Sequence, residues 1–349
     1  MKQKEIIDGF AQLGKLMCAL GEKKDWSSFE IGVTQVEYES LQTLVNRQIS
    51  YNGWFTKENV RKSLLELGKR LSLEELTEWS REYSYVELPK KIALIMAGNI
   101  PLVGFHDFLC VLISGNKALC KLSSDDKTLL PALGEHLIQF APALKERIEF
   151  TEGRIGKFDA VIATGSDNSL NYFESYFGKY PHIFRKNRTS IAVLDGSESK
   201  AAIERLGEDI FSYFGLGCRN VSHLILPEGF KLERFFEGVF NYSSIIHNNK
   251  YGNNYDYNKA VYLLNQHALL DNNFVLLRES EDLFSPLAMI HYHYYSNEVE
   301  LMEYINTHQE QLQVVVGNNF VPFGSSQCPE LNDYADGVDV LKFLTEDLN

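Results

Sequence analysis

No two cysteines of this chain lie at CxxC spacing, and the five present, Cys18, Cys110, Cys120, Cys218 and Cys328, are odd in number and widely scattered. That absence argues against a disulfide framework and a thiolate zinc site, and it points to a reducing, cytoplasmic setting. Positive charge is in deficit. With 34 Lys and Arg against 47 Asp and Glu, the formal net charge is −13, so nucleic acid is not an expected partner. A long hydrophobic run is missing as well: the most apolar window, Ile100 to Gly115, contains His106 and Asp107 and is too short to span a bilayer. Between Met1 and Leu20, Glu5 and Asp8 interrupt the apolar positions, unlike a secretion signal. No GxGxxG string occurs, so any dinucleotide must be held by other means.

What the chain does have is core material. Of its 349 residues, 44% are hydrophobic and 12% aromatic, enough for two packed domains of ordinary soluble type. Residues 1–88 read as an amphipathic helical segment without chemistry, with Val60, Leu64, Leu67 and Leu71 at helical spacing. From Pro89 the texture changes. The run Lys91-Ile92-Ala93-Leu94-Ile95-Met96 is typical of a strand buried on both faces. A turn at Ala97 to Pro101, a helix to Ser114 and a strand from Lys117 to Leu122 follow. With a further strand at Phe158 to Ala163 and a helix at Asn168 to Phe177, the alternation predicts a doubly wound parallel sheet over residues 89–189. Strand Ser190 to Leu194, helix Ser199 to Phe214 and strand His223 to Leu226 predict a second α/β domain over 190–320, with 321–349 returning to the domain interface. The polar stretch Asn248 to Asn258 is expected to form a surface loop. His291 and His293 share a strand face but lack a third ligand at recognisable spacing, so they read as partly buried histidines and no metal is expected.

Cys218 stands out in Phe214-Gly215-Leu216-Gly217-Cys218-Arg219-Asn220-Val221-Ser222. Two glycines ahead of the thiol clear room for a substrate carbonyl, and Arg219 has the right sign to favour a thiolate, the form that attacks acyl carbon. A lone cysteine is more commonly a small buried apolar residue. The surrounding motifs favour the nucleophile.

Those motifs carry a family resemblance. Ala97-Gly98-Asn99-Ile100-Pro101-Leu102-Val103-Gly104-Phe105-His106-Asp107, Phe184-Arg185-Lys186-Asn187-Arg188-Thr189-Ser190, the cysteine segment, Phe323-Gly324-Ser325-Ser326-Gln327-Cys328-Pro329 and Asp333-Tyr334-Ala335-Asp336-Gly337 resemble acyl-CoA reductases of the bacterial luminescence type, within the aldehyde dehydrogenase superfamily. The resemblance runs from Lys91 to the C-terminus. It implies an aldehyde-dehydrogenase-like α/β fold, with a Rossmann-type parallel-sheet cofactor domain, a second α/β catalytic domain and the N-terminal helical segment packed on the cofactor domain. It also implies a homo-oligomer.

Residue by residue, the resemblance makes Cys218 the nucleophile and Asn99, in the superfamily's Asn-x-Pro element, the amide donor to an oxyanion. Lys121-Leu122-Ser123-Ser124 resembles a Lys-Pro-Ser element that grips the adenosine ribose. Ser124 stands where an acid often selects NAD, which favours NADPH with NADH still possible, and Asp125 one residue on could reverse that preference. Thr164-Gly165-Ser166 resembles the Thr-Gly-Ser turn that lets backbone approach the cofactor. Glu281-Asp282-Leu283-Phe284-Ser285-Pro286 resembles a Glu-x-Phe-Gly-Pro element, which puts Asp282, one carbon shorter, in the role of the acid that holds the nicotinamide ribose, with Ser285 in place of glycine and Phe284 a further cofactor-binding candidate; an exposed acid capping a turn is the alternative. Arg185, Lys186 and Arg188 lie where oxidising relatives carry the glutamate that activates water. They are candidates for substrate or phosphate binding, for lowering the Cys218 pKa, or simply a solvated charge run. Without that base an acyl-cysteine passes to hydride rather than water, so the expected reaction is NADPH-dependent reduction of an acyl thioester to an aldehyde, the acyl donor being acyl-CoA or an acyl-carrying protein. An NAD(P)-dependent aldehyde oxidation and a non-catalytic acyl- or nucleotide-binding subunit are the alternatives.

Overall fold

The computed structural model of the protein describes residues 3–26, 29–165 and 167–348. Two compact units share the chain, one made of Met1–Lys186 with Glu330–Asn349, the other of Asn187–Pro329.

In the first unit, α1 (Gln3–Gly21) buries Ile6, Phe10, Leu13 and Met17 along one face. Hydroxyl caps then set where the next helices begin: Thr34, Thr56 and Ser72 accept from the N–H groups of Glu37, Asn59 and Glu75, opening α2 (Gln35–Tyr51), α3 (Lys57–Lys69) and α4 (Leu73–Ser80). The α/β layer follows as β1 (Lys91–Ile95), α5 (Phe105–Ile113), β2 (Lys117–Lys121), α6 (Leu129–Phe140), β3 (Ile148–Thr151), β4 (Ala160–Thr164), α7 (Asp167–Phe177) and β5 (His182–Arg185). Its five strands run in the order β3-β2-β1-β4-β5, every pair parallel. The order reverses between β1 and β4, and ligands of open α/β sheets sit at the carboxyl ends of such a switch.

The second unit contains β6 (Thr189–Val193), α8 (Lys200–Phe211), β7 (Val221–Pro227), α9 (Leu232–Val239), α10 (Asn249–Leu264), β8 (Leu270–Asp271), β9 (Leu276–Glu279), β10 (Met289–Tyr295), α11 (Glu298–Thr307) and β11 (Leu312–Val316). The sheet order is β11-β6-β7-β10-β9-β8, parallel except where β8 meets β9. The loop expected at Asn248 to Asn258 is instead the start of α10. Asn248 caps it by accepting from the Lys250 and Tyr251 N–H groups, and Tyr251, Tyr255 and Asn258 are buried at helical spacing. Side-chain capping and tyrosine burial outweigh the turn-forming composition.

Residues 330–349 return to the first unit, where α12 (Val340–Lys342) places Val340, Leu341 and Leu344 in its core. His106 Nε2 donates to the Leu331 carbonyl at 2.9 Å and Asn116 Nδ2 to that of Leu344 at 3.2 Å. Among the described residues no helix is long and apolar enough to cross a membrane.

Candidate active site

Parallel register brings the first unit's candidate residues to one edge. Ile95 pairs with Lys121 on one side and Ala163 on the other, and Thr164 pairs with Arg185, so the segments carrying Asn99, Ser123–Ser124 and Thr164–Gly165 all leave the carboxyl ends of neighbouring strands. Ser166 lies outside the described residues. Gly98 crosses the β2 turn so closely that an added Cβ would stand 2.5 Å from Ser123 Oγ, which requires glycine. Asn99 and Ser124 are exposed. The Lys121 ammonium donates to the Glu152 carbonyl, whose carboxylate also holds Lys127 at 2.9 Å.

The Asn99 turn is anchored from beneath. Leu102 has φ +61, a left-handed conformation costly for a branched side chain. Its N–H donates to Asp126 Oδ2 at 2.7 Å, and Ser63 Oγ donates to the Pro101 carbonyl at 2.8 Å. Asp126 is buried, with Oδ1 unpartnered, and burial pushes its carboxyl up to about 6 against the opposing pull of the Leu102 bond.

In the second unit, Cys218 is exposed, whereas Cys110 and Cys120 are buried. Burial raises the thiols of Cys110 and Cys120 and, less completely, that of Cys18. The residues ahead of Cys218 turn through three left-handed positions, Tyr213 at φ +52, Phe214 at +61 and Gly215 at +80, a strained path that persists only when its surroundings hold it. Asn220 does much of the holding. Buried at 2% exposure, it accepts from the Gly217 N–H at 2.8 Å and donates to the carbonyls of Asp209 and Ser212 at 3.0 and 2.9 Å. Asp209, wholly buried in α8, accepts from the N–H groups of Gly324 and Ser326 at 2.6 and 2.8 Å. Ser326 passes the constraint back, its carbonyl accepting from Arg219 Nε at 2.6 Å, while Ser190 Oγ donates to the Cys218 carbonyl at 2.9 Å. Sequence reasoning did not find Asn220 or Asp209. Their signal is weak: Asp209 is one of several charged residues of α8 and differs from Glu204 and Glu208 only in lying on its buried face, and Asn220 is a polar residue at a strand entry.

Asp282 and Phe284 are exposed between β9 and β10, with Asp282 Oδ2 3.9 Å from Arg278 Nη1. Beneath them lies a row of side chains across the sheet: register pairs His291 with His223 on β7 and with Arg278 on β9. The Asp282 carbonyl accepts from His223 Nδ1 at 2.9 Å and from His291 Nδ1 at 2.8 Å. His223 Nε2 therefore accepts from His293 Nδ1, 2.6 Å away. Burial pulls the His223 pKa down to about 3 and lowers those of His291 and His293. Among the described residues no group of three His, Cys, Asp or Glu side chains is placed to hold a metal ion.

The positive run is less available than its composition suggests. Arg185 ends β5 buried, with a guanidinium nitrogen 2.5 Å from Asp107, so its charge is engaged inward rather than offered to an anion. Arg188 donates to the Leu312 carbonyl at 3.0 Å, and Lys186 is exposed.

Solved structures place this architecture. The chain superposes with a TM-score of 0.66 on aldehyde dehydrogenase 21 from Physcomitrella patens, at 13% identity, covering 100% of this chain and 85% of that one. It matches an E. coli NADP-dependent enzyme with a TM-score of 0.61 at 12% identity, over 90% and 73% of the two chains. A Mycobacterium tuberculosis aldehyde dehydrogenase complexed with NAD+ gives 0.57 at 12%, over 85% and 71%. The fold is thus aldehyde-dehydrogenase-like, as the motifs implied. No curated protein matches in sequence. A family model described as acyl-CoA reductase (LuxC) matches residues 16–228, more than half the chain. The protein belongs to the acyl-CoA reductase (LuxC) family, a family of aldehyde-related oxidoreductases.

Proposed function

We propose that the protein reduces an acyl thioester to an aldehyde with NADPH, the acyl group being carried on Cys218. The observation that carries this reading is the contrast between Cys218, exposed in a braced, left-handed loop, and Cys110 and Cys120, which are buried with their thiols raised. Cys218 attacks the thioester carbon, the new C–S bond forms, and the departing thiolate takes the electrons of the old one. The Cys218 N–H, with the Asn99 amide that the resemblance supplies as second donor, stabilises the oxyanion. A reduced nicotinamide, when bound, supplies the hydride. Collapse of the resulting tetrahedral adduct breaks its C–S bond, releases aldehyde and returns Cys218 as thiolate. Hydrolysis is disfavoured because Arg185, paired with Asp107, stands where a water-activating glutamate would be.

The first unit's edge fits a dinucleotide: the Gly98 cradle and Thr164–Gly165 leave backbone accessible at the sheet's switch point. Lys121, Ser123 and Ser124 are the adenosine-ribose residues in this reading, and Ser124 without a carboxylate favours NADPH. In the second unit a narrow cavity of about 60 Å³, lined by Phe211, Phe214, Tyr251, Val275, Leu287 and Ile290, suits the start of an alkyl chain. The test is aldehyde formation and NADPH oxidation, with NADH in parallel, across a series of acyl-CoA chain lengths. Turnover should depend on chain length and fall at least about a thousandfold in Cys218→Ala. Dinucleotide binding without aldehyde from any thioester would sink the substrate assignment.

A further inference from the structure

A second, polar cavity of about 430 Å³ opens in the same unit beside Asp282, lined by Tyr262, Arg278, Phe284, His291, His308 and Gln311 among others. Register puts His291 and Arg278 side by side on adjacent strands. His291 is 2% exposed, and because its Nδ1 donates to the Asp282 carbonyl, Nε2 carries the lone pair; that nitrogen is buried without a partner. Burial foremost, and Arg278 nearby, hold the ring below its ordinary pKa, so it stays a neutral acceptor rather than a cation for phosphate. A buried acceptor left unmet in the protein is satisfied only by a donor from outside. The exposed Asp282 carboxylate supplies another acceptor at the same cavity, and Arg278, 3.9 Å from it and 5.3 Å from the Tyr262 ring centroid, offsets its charge. Glu281 also lines the cavity, so Arg278 offsets only one of two carboxylates, and a lining left net negative matches a neutral diol better than an anion.

We propose that His291 is a cofactor-recognition residue whose Nε2 accepts a hydrogen bond from one hydroxyl of the nicotinamide ribose while Asp282 accepts from the other. This rests on the dinucleotide reading above. The two nitrogens of His291 can be separated by substitution. In His291→Asn the amide nitrogen stands near Nδ1 and keeps the Asp282 bond but abolishes the acceptor in the cavity; in His291→Gln the amide oxygen stands near Nε2 and restores that acceptor while losing the Asp282 bond. Fluorescence titration of the full-length proteins with NADPH, NADH and ADP reads the difference. His291→Asn should weaken both dinucleotides about tenfold, His291→Gln should stay within about twofold of wild type, and ADP, which lacks the nicotinamide ribose, should bind all three alike. Equal dinucleotide affinity in all three proteins, or weaker binding by the Gln than the Asn variant, overturns the role of His291 and leaves the cofactor reading standing. A wild type that binds neither dinucleotide overturns both.

Discussion

The first unit's sheet is aliphatic through its middle, with Ile92, Ala93, Leu94, Val161 and Ile162 at most 1% exposed, and its candidate chemistry sits in the turns beyond the strands. In the second unit the strands themselves carry polar groups, His223 at 0% and His291 at 2% exposure, between a sheet and a crossing segment. The first arrangement separates stability from recognition, since turns can change without disturbing what lies under them. The second makes them one problem: a side chain proposed to meet a ligand, as His291 is, also decides whether the sheet is stable.

Acidification should expose that difference most strongly. His223 has its folded pKa depressed from 6.5 to about 3, so the stability tied to its neutral form is present above pH 6.5 and is lost as pH falls towards 3. The loss is about 5 kcal/mol in full, and His291 and His293 shift in the same direction. Calorimetry of wild type against His223→Phe, from pH 7 down to 4, should show the gap between them closing or reversing with acid. A constant gap would break the contrast between the units.

Asp126 is expected to behave with the opposite sign and a smaller amplitude. Its folded pKa is raised from 3.8 to about 6, so its contribution is fully present below pH 3.8 and disappears as pH rises through 6, a change of about 3 kcal/mol. Asp126→Asn, which keeps an oxygen for the Leu102 N–H, should gain on wild type in urea titrations between pH 4 and 7; parallel curves would mean that water already reaches the carboxylate.

The smallest effect belongs to an exposed turn. Ser124→Asp should move the NADPH-to-NADH ratio of kcat/KM towards NADH by about tenfold, with little change in melting temperature. An unchanged ratio would assign the choice to Asp125 instead.

The same contrast governs how much the sequence discloses. Buried parallel strands leave apolar runs such as Lys91–Met96, so the first sheet and its turns are readable, and a single exposed cysteine behind two glycines announces itself. The histidine row does not. His291-Tyr292-His293 reads only as a strand with two partly buried histidines, and nothing local records that His223 joins them or that Asp282 crosses above them. Arg185 shows the converse: inside a run of charges it reads as solvent-facing, yet strand pairing and Asp107 take it inward. α10 was hidden by its Asn, Tyr and Gly content, because capping by Asn248 and burial of Tyr251 and Tyr255 depend on tertiary neighbours.

The return of residues 330–349 to the first unit also sets an order of assembly during synthesis. The second unit is one uninterrupted stretch, Asn187–Pro329, and has all its strands once that stretch has left the ribosome. The first unit, although begun at the N-terminus, still lacks Tyr334, Val340, Leu341 and Leu344 from its core and the carbonyls that His106 and Asn116 reach. The part of the chain made first is therefore the part completed last: the core that begins with α1 closes only when residues 330–349 have followed the whole of the second unit out of the ribosome.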